Sequence, residues 1–366
     1  MAKFPTLTTV QMFGISLLEV FALMVDEKGH QANSPAEMPP PAWKDILKRT
    51  YKRTWDDNVA LVSAGVAFYG FFALLSLLGL IVLFYGFVAD PHDVIEHVRA
   101  LTAVLPTQVA VLIGEQLMTA VKSSEGTKGF GILLAFLVAI YGGTNGAASV
   151  ITALNIAYEE KEKRSLLRFY LLAVGMTLAA LLVALAALAA TAAVGYLDNV
   201  LPEATPALVL AGKIAGYLFL TLVAALVASI LYRFGPSREN AQWRWITPGS
   251  IFAAVTWLLL TLAFGFYVSN FTDYDASYGS LADVVALLTW MYLSAYAFVF
   301  GAELNSEIEH QTAMDSTTGS PVPMGERGAW AADNVATDET VQDRPEEQRE
   351  GQRLTQAAPK VAEEKG

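Results

Sequence analysis

The polar side chains of this chain that could meet a solute are few and grouped. Asn145, Ser149, Thr152 and Asn155 recur at spacings of three and four, which puts them along one face of a helix. Amide and hydroxyl groups so arranged can line a cavity, or they can hydrogen-bond to a neighbouring helix and hold it. A second set, Arg233, Arg238, Glu303 and Asn305, stands where long apolar runs end. A carboxylate and a guanidinium there could close an inner gate by charge-assisted hydrogen bonds, or could only lock helix ends together. Around Asn145 lie Gly142, Gly143 and Gly146, with Gly142 and Gly146 at the four-residue spacing of close helix packing; Gly212 and Gly216 repeat that spacing. The alternative for the first group is a locally opened helix whose backbone and Asn145 contact a substrate.

Other chemistry is poorly supplied. There is no cysteine, so thiol catalysis and Cys-ligated metals are excluded. The four histidines, His30, His92, His97 and His310, form no clustered His/Asp motif, and a two-metal phosphodiesterase needs several converging ligands. No phosphate-binding loop, nucleophile elbow or zincin motif occurs. Neither a cofactor, a metal nor a nucleic-acid partner is expected.

The elements that must position these residues follow from composition. Of 366 residues, 54% are apolar and 16% charged, against about 45–50% and about 25% in soluble domains. The apolar residues cluster into six runs, at about 59–88, 130–157, 166–197, 207–234, 246–271 and 281–304. Each reaches the roughly 20 residues that cross a bilayer as a helix. The expected fold is therefore an all-α integral membrane protein, a bundle of six transmembrane helices.

Lys and Arg concentrate in alternate connections: Lys44, Lys48, Arg49, Lys52 and Arg53 before the first run, Lys161, Lys163, Arg164 and Arg168 after the second, and Arg233, Arg238 and Arg244 after the fourth. The intervening connections 198–206 and 272–280 have none. The positive-inside rule then places both termini in the cytoplasm. Residues 90–129 form the first outer loop, where Val109, Leu112, Ile113 and Leu117 have the spacing of amphipathic helices.

Outside the membrane domain, taken as residues 43–310, lies an N-terminal extension over 1–42. Its apolar stretch Val10 to Val25, interrupted by Glu19, reads as an interfacial helix, followed by a linker rich in proline. Residues 43–55 read as an amphipathic helix with Trp43, Leu47, Tyr51 and Trp55 every fourth residue and lysines beside them, suited to an anionic membrane surface. Residues 305–366 hold thirteen acids and six bases, −7 of the net −11. From residue 311 onward the expectation is a disordered acidic cytoplasmic tail.

Several motifs carry a resemblance. Ala153-Leu154-Asn155-Ile156-Ala157-Tyr158 with Glu159, Glu162 and Arg164, then Tyr232-Arg233-Phe234-Gly235-Pro236-Ser237-Arg238, Trp245-Ile246-Thr247-Pro248-Gly249, Phe266-Tyr267, Tyr278-Gly279-Ser280-Leu281 and Gly301-Ala302-Glu303-Leu304-Asn305 resemble, in order, the signatures of the YihY/BrkB family of bacterial inner-membrane proteins. The resemblance implies a multi-pass inner-membrane protein without an agreed activity; an older ribonuclease label for the family is regarded as a misassignment. Two functions remain open on this reading. One is a transporter or exporter of a small or lipid-like solute. The other is a non-transporting scaffold or envelope-assembly factor, in contact with membrane lipids and with a second copy or an envelope protein as partner.

Overall fold

The computed structural model describes residues 28–88, 125–180, 206–270 and 280–336. The expected helices at 10–25 and in the first outer loop, the outer connections after the third and fifth runs, and the tail beyond residue 336 lie outside these residues. Among the described residues the fold is helical, with one isolated β-bridge between Ala241 and Thr317. The helices are α1 (Pro40–Asp56), α2 (Val59–Val88), α3 (Glu125–Ala157), α4 (described over Leu166–Ala180), α5 (Pro206–Phe234), α6 (Trp243–Asn270), α7 (Ser280–His310) and the short α8 (Trp330–Asp333). A 3-10 turn, Pro35–Glu37, precedes α1.

Five of these helices hold stretches long and apolar enough to cross a membrane: Val59–Ser76, Phe136–Ala157, Ile214–Phe234, Trp243–Tyr267 and Val284–His310. They coincide with five of the six expected runs. The last helix exceeds its expected end at residue 304 and continues to His310, because the charges that appear to end the run are buried: Glu303, Glu307 and Glu309 are each at most 2% exposed. Of the expected run 166–197, only the first 15 residues are described, as α4.

Chain contacts divide the described residues into two compact units, one of residues 28–53, 239–245 and 306–336, the other of 54–88, 125–180, 206–238, 246–270 and 280–305. In the larger unit α2 packs on α3 through small residues. A Cβ at Gly142 would come within 2.7 Å of Ser76 Oγ, and one at Gly146 within 3.3 Å of Ala73 Cβ. Gly143 is filled by the methyl group of Thr177 on α4. Gly212 and Gly216, expected to pack a neighbour, face no atom within 4 Å among the described residues.

Over residues 311–336 the smaller unit is ordered where disorder was expected. Gln311, Thr312, Ser316, Ala331 and Ala332 are buried to 1% exposure or less. Thr312 Oγ1 donates to the Ala32 carbonyl (2.7 Å), the Ala313 N–H to the His30 carbonyl (2.7 Å), and the Gln242 N–H to the Ser316 carbonyl (2.9 Å). Arg327, 8% exposed, donates from Nη1 to the Ala332 carbonyl (2.7 Å) and from Nη2 to the Ala313 carbonyl (2.9 Å). Asp315 collects the Val322 N–H (2.9 Å) and the Thr317 N–H and hydroxyl (2.9 and 2.7 Å). Burial pushes its carboxyl upward, yet these bonds and Arg327 hold it below the usual carboxylate range. A polar, aperiodic composition thus conceals a segment ordered by its own hydrogen bonds rather than by an apolar face.

Ending the chain at Gln311 is accordingly expected to remove the bonds that Thr312 and Ala313 make to His30 and Ala32, and the contact of Arg53 with Trp330. The truncated protein should melt about 10 °C lower in detergent, and limited proteolysis should open the chain between residues 28 and 40. Unchanged melting and protection would mean that residues 312–336 hold nothing.

Candidate functional site

The larger unit contains two buried junctions, each made from motifs far apart in the sequence. In the first, α6 carries Pro248 in its interior. Proline lacks an N–H and its ring displaces the carbonyl four residues back, so the ladder is interrupted there. Asn305 of α7, 0% exposed, bonds to the α6 backbone on either side of the proline. Its Oδ1 accepts the Gly249 N–H (2.7 Å) and its Nδ2 donates to the Ile246 carbonyl (2.9 Å).

Only glycine allows this approach. A Cβ at Gly249 would overlap the Gly301 carbonyl oxygen, and one at Gly301 would stand 2.7 Å from the Gly249 carbonyl oxygen and 2.6 Å from Tyr232 Oη. Tyr232, on α5, is 2% exposed and donates to the Phe298 carbonyl at 2.6 Å, its ring tilted against Phe298 with centroids 4.8 Å apart. So α5, α6 and α7 meet around Gly249, Gly301, Tyr232 and Asn305. Glu303, 1% exposed, lies on α7 within the apolar stretch Val284–His310.

The second junction joins the end of α3 to the connection after α5. α3 stops at a left-handed residue, Glu159 (φ 55°). The Glu160 N–H bonds back to the Asn155 carbonyl (2.7 Å) and the Glu159 N–H to the Ile156 carbonyl (3.0 Å), the paired bonds of a Schellman stop. Asn155 is thereby placed with its amide inward: Oδ1 accepts the Ser237 N–H (2.7 Å) and Nδ2 donates to Glu162 Oε2 (3.0 Å). Ser237 Oγ accepts the Lys163 N–H (2.9 Å). Arg164 grips both oxygens of Glu162 at 2.7 Å and reaches the Gly235 carbonyl at 2.8 Å. Arg238 lies over the Tyr158 ring, 5.0 Å from its centroid.

Burial pushes the Glu162 carboxyl upward, but the hydrogen bonds from Arg164 and Asn155 outweigh it and bring it down to about 2. A carboxylate whose folded value is depressed adds stability above its ordinary value of 4.5 and loses that contribution as pH falls through the folded value. The Glu162 side chain is 29% exposed, so solvent screening leaves a contribution on the order of 1 kcal/mol. Glu162→Gln should melt a few degrees below the parent at pH 7, with the gap closing between about pH 4.5 and pH 2. A gap independent of pH would remove the ion pair from the account.

The sequence-derived candidates therefore separate. Asn155 and Asn305 are central, each to a different junction. Arg238 stacks on Tyr158, and Arg233 lies against the Phe234 ring, 5.4 Å from its centroid. Asn145 Nδ2 donates to the Tyr141 carbonyl (2.8 Å), Ser149 Oγ to the Gly146 carbonyl (2.7 Å) and Thr152 Oγ1 to the Ala148 carbonyl (2.9 Å). All three bonds close on α3 itself, as short polar side chains often do within a helix. Sequence reasoning passed over Gly249, Gly301 and Tyr232 as site residues. Proline followed by glycine inside an apolar run was the available signal, since a ladder broken in a membrane helix must be repaired by a neighbour. Among the described residues no group of three His, Cys, Asp or Glu could hold a metal ion.

Long apolar helices joined by buried polar junctions define a multi-pass helical membrane protein. Residues 50–323 match the family model described as virulence factor BrkB, and the chain belongs to that family. It is 30% identical over 181 residues to the ribonuclease-like protein YfkH of Bacillus subtilis (strain 168), covering 48% of this chain and 66% of YfkH. It is 34% identical over 87 residues to the UPF0761 membrane protein Smlt0865 of Stenotrophomonas maltophilia (strain K279a), covering 24% of this chain and 20% of that one. With the UPF0761 membrane protein MADE_1017605/MADE_1018330 of Alteromonas mediterranea it shares 27% identity over 279 residues, 73% of this chain and 89% of the relative. No solved structure matches it. The protein is a multi-pass bacterial inner-membrane protein.

Proposed function

We propose that the chain is a transporter or exporter of a small or lipid-like solute, with six spans and both termini in the cytoplasm. The reading is carried by the interruption of α6 at Pro248, bridged by Asn305 two residues from the buried Glu303. Interrupted helices supply backbone groups near solute paths, and an ionisable residue within a membrane stretch is costly enough to mark function. Glu303, with Arg233 or Arg238, would form the inner gate, and a rearrangement of Asn305 from one backbone partner to another would open it. No coupling carboxylate is needed elsewhere, which suits a facilitated or lipid-facing route.

The scaffold reading is favoured by a different observation: Asn145, Ser149 and Thr152 spend their polar groups on α3 itself, as expected of a helix that guides no solute. One experiment separates the two. A solute panel read by thermal shift selects a ligand, and its flux is then measured in proteoliposomes. Glu303→Gln should abolish flux while moving the melting temperature by only about 2 °C. Flux and stability lost together, or no solute moved by the unaltered protein, would favour the scaffold. Reporter fusions test the orientation: Lys163 and Ser237 should report cytoplasm, and Glu115, Glu203 and Asp275 the opposite side.

A further inference from the structure

We infer that the outer face of α1 is a docking surface for anionic phospholipid headgroups. At about 100° per residue, Lys44, Leu47, Lys48, Tyr51, Lys52 and Trp55 fall within an arc of about 140°. Leu47, Tyr51 and Trp55 are 51%, 62% and 69% exposed, and the three lysines are exposed beside them. The opposite face carries Ala42, Ile46 and Thr50, all 0% exposed, together with Arg49 and Arg53.

Those two arginines show why the strip is built for a surface rather than for a core. Arg49 Nε contacts Glu307 Oε2 at 2.6 Å and Arg53 Nε contacts Glu307 Oε1 at 3.3 Å. Arg49 and Arg53 thus turn to a buried carboxylate, while Lys44, Lys48 and Lys52 are exposed. The pairing fixes the roll of the helix within its unit and holds the aromatic and lysine strip outward. Trp and Tyr settle at headgroup level, where one end of the ring is apolar and the other wet. Lysines between them meet lipid phosphates while their stems cover apolar surface. Three like charges flanking one aromatic stripe complement an anionic leaflet. α1 also ends three residues before α2, whose first 18 residues are a candidate span. The inference is independent of transport and needs only that the chain is embedded in a membrane.

Because the chain has no cysteine, a single Tyr51→Cys substitution can carry a bimane label in the full-length protein. The labelled protein is placed in nanodiscs of phosphatidylcholine alone, or of phosphatidylcholine with phosphatidylglycerol. In the anionic discs the label should be quenched by lipid bearing a headgroup-level nitroxide and protected from aqueous acrylamide. Each lysine near an anionic surface is worth roughly fivefold in partitioning, so the loss of three weakens docking on the order of a hundredfold, and the triple change Lys44→Glu, Lys48→Glu, Lys52→Glu, which also adds three negative charges, should weaken it by more than that and expose the label. Salt added to the unaltered chain should do the same progressively, a measurement that does not depend on the variant folding. Equal acrylamide access in both lipids, or lipid quenching that survives charge reversal and salt, would overturn the proposal. So would a label protected only when RNA or a soluble protein fraction is added.

Discussion

Gly249→Ala is expected to be among the most damaging single substitutions in this chain. The added methyl overlaps the carbonyl oxygen of Gly301 and crowds the Asn305 side chain, so α6 and α7 must separate. That separation stretches both Asn305 bonds and leaves buried polar groups unsatisfied at about 1–3 kcal/mol each, beyond the overpacking itself. A loss of about 3 kcal/mol or more, a fall in melting temperature on the order of 10 °C, is the expected reading by fluorescence-detected size exclusion after heating. Gly212→Ala and Gly216→Ala serve as controls: both positions open onto empty space among the described residues, and alanine is the better helix former. Their melting should stay level or rise. Equal tolerance at Gly249 and Gly212 would remove the tight crossing from the account.

The second large effect is expected at Glu307. Its side chain is 2% exposed and is met by Arg49, Arg53 and, at 3.4 Å, by His310 Nδ1. His310 lies against Trp330 with ring centroids 4.9 Å apart, and Arg53 lies over the same indole at 5.4 Å. One carboxylate therefore joins α1, the end of α7 and α8. Glu307→Ala removes the buried carboxylate that Arg49 and Arg53 share, a type of change that costs about 3–5 kcal/mol. Residues 312–336 should become protease-sensitive at temperatures where the parent resists. Adding Arg49→Met and Arg53→Met to Glu307→Leu removes charge and partner together and should recover much of the loss, because a buried ion pair contributes little over an apolar substitute of similar size. If the single and combined variants melt alike, the effect is packing and not charge.

Legibility in the sequence followed the range of the cause. α2 begins and ends where its uncharged run does, at Val59 and Val88, and α5 at Pro206 and Phe234 lies within a residue of its run, because a membrane helix satisfies its own backbone and needs only about 20 apolar residues in a row. The motif residues were also visible one by one. What they do was not, since Asn305 bonds to residues 56 and 59 positions away and Asn155 to one 82 positions away. Asn145 differs in range: its amide donates to the carbonyl one turn back on the same helix.

By itself, then, the amino-acid sequence determined the class of protein, the positions of the apolar helices and the family, all of which rest on local hydrophobic length and short motifs. Only the tertiary structure decided that Asn305 bonds to the α6 backbone on either side of Pro248, that Arg49 and Arg53 of α1 meet Glu307 while its lysines are exposed, and that residues 311–336 fold. Each of these depends on a hydrogen bond or ion pair between segments remote in the chain. Such a bond has worth only where burial excludes the water that would otherwise replace it, and burial is a property of the packed molecule rather than of any stretch of its sequence.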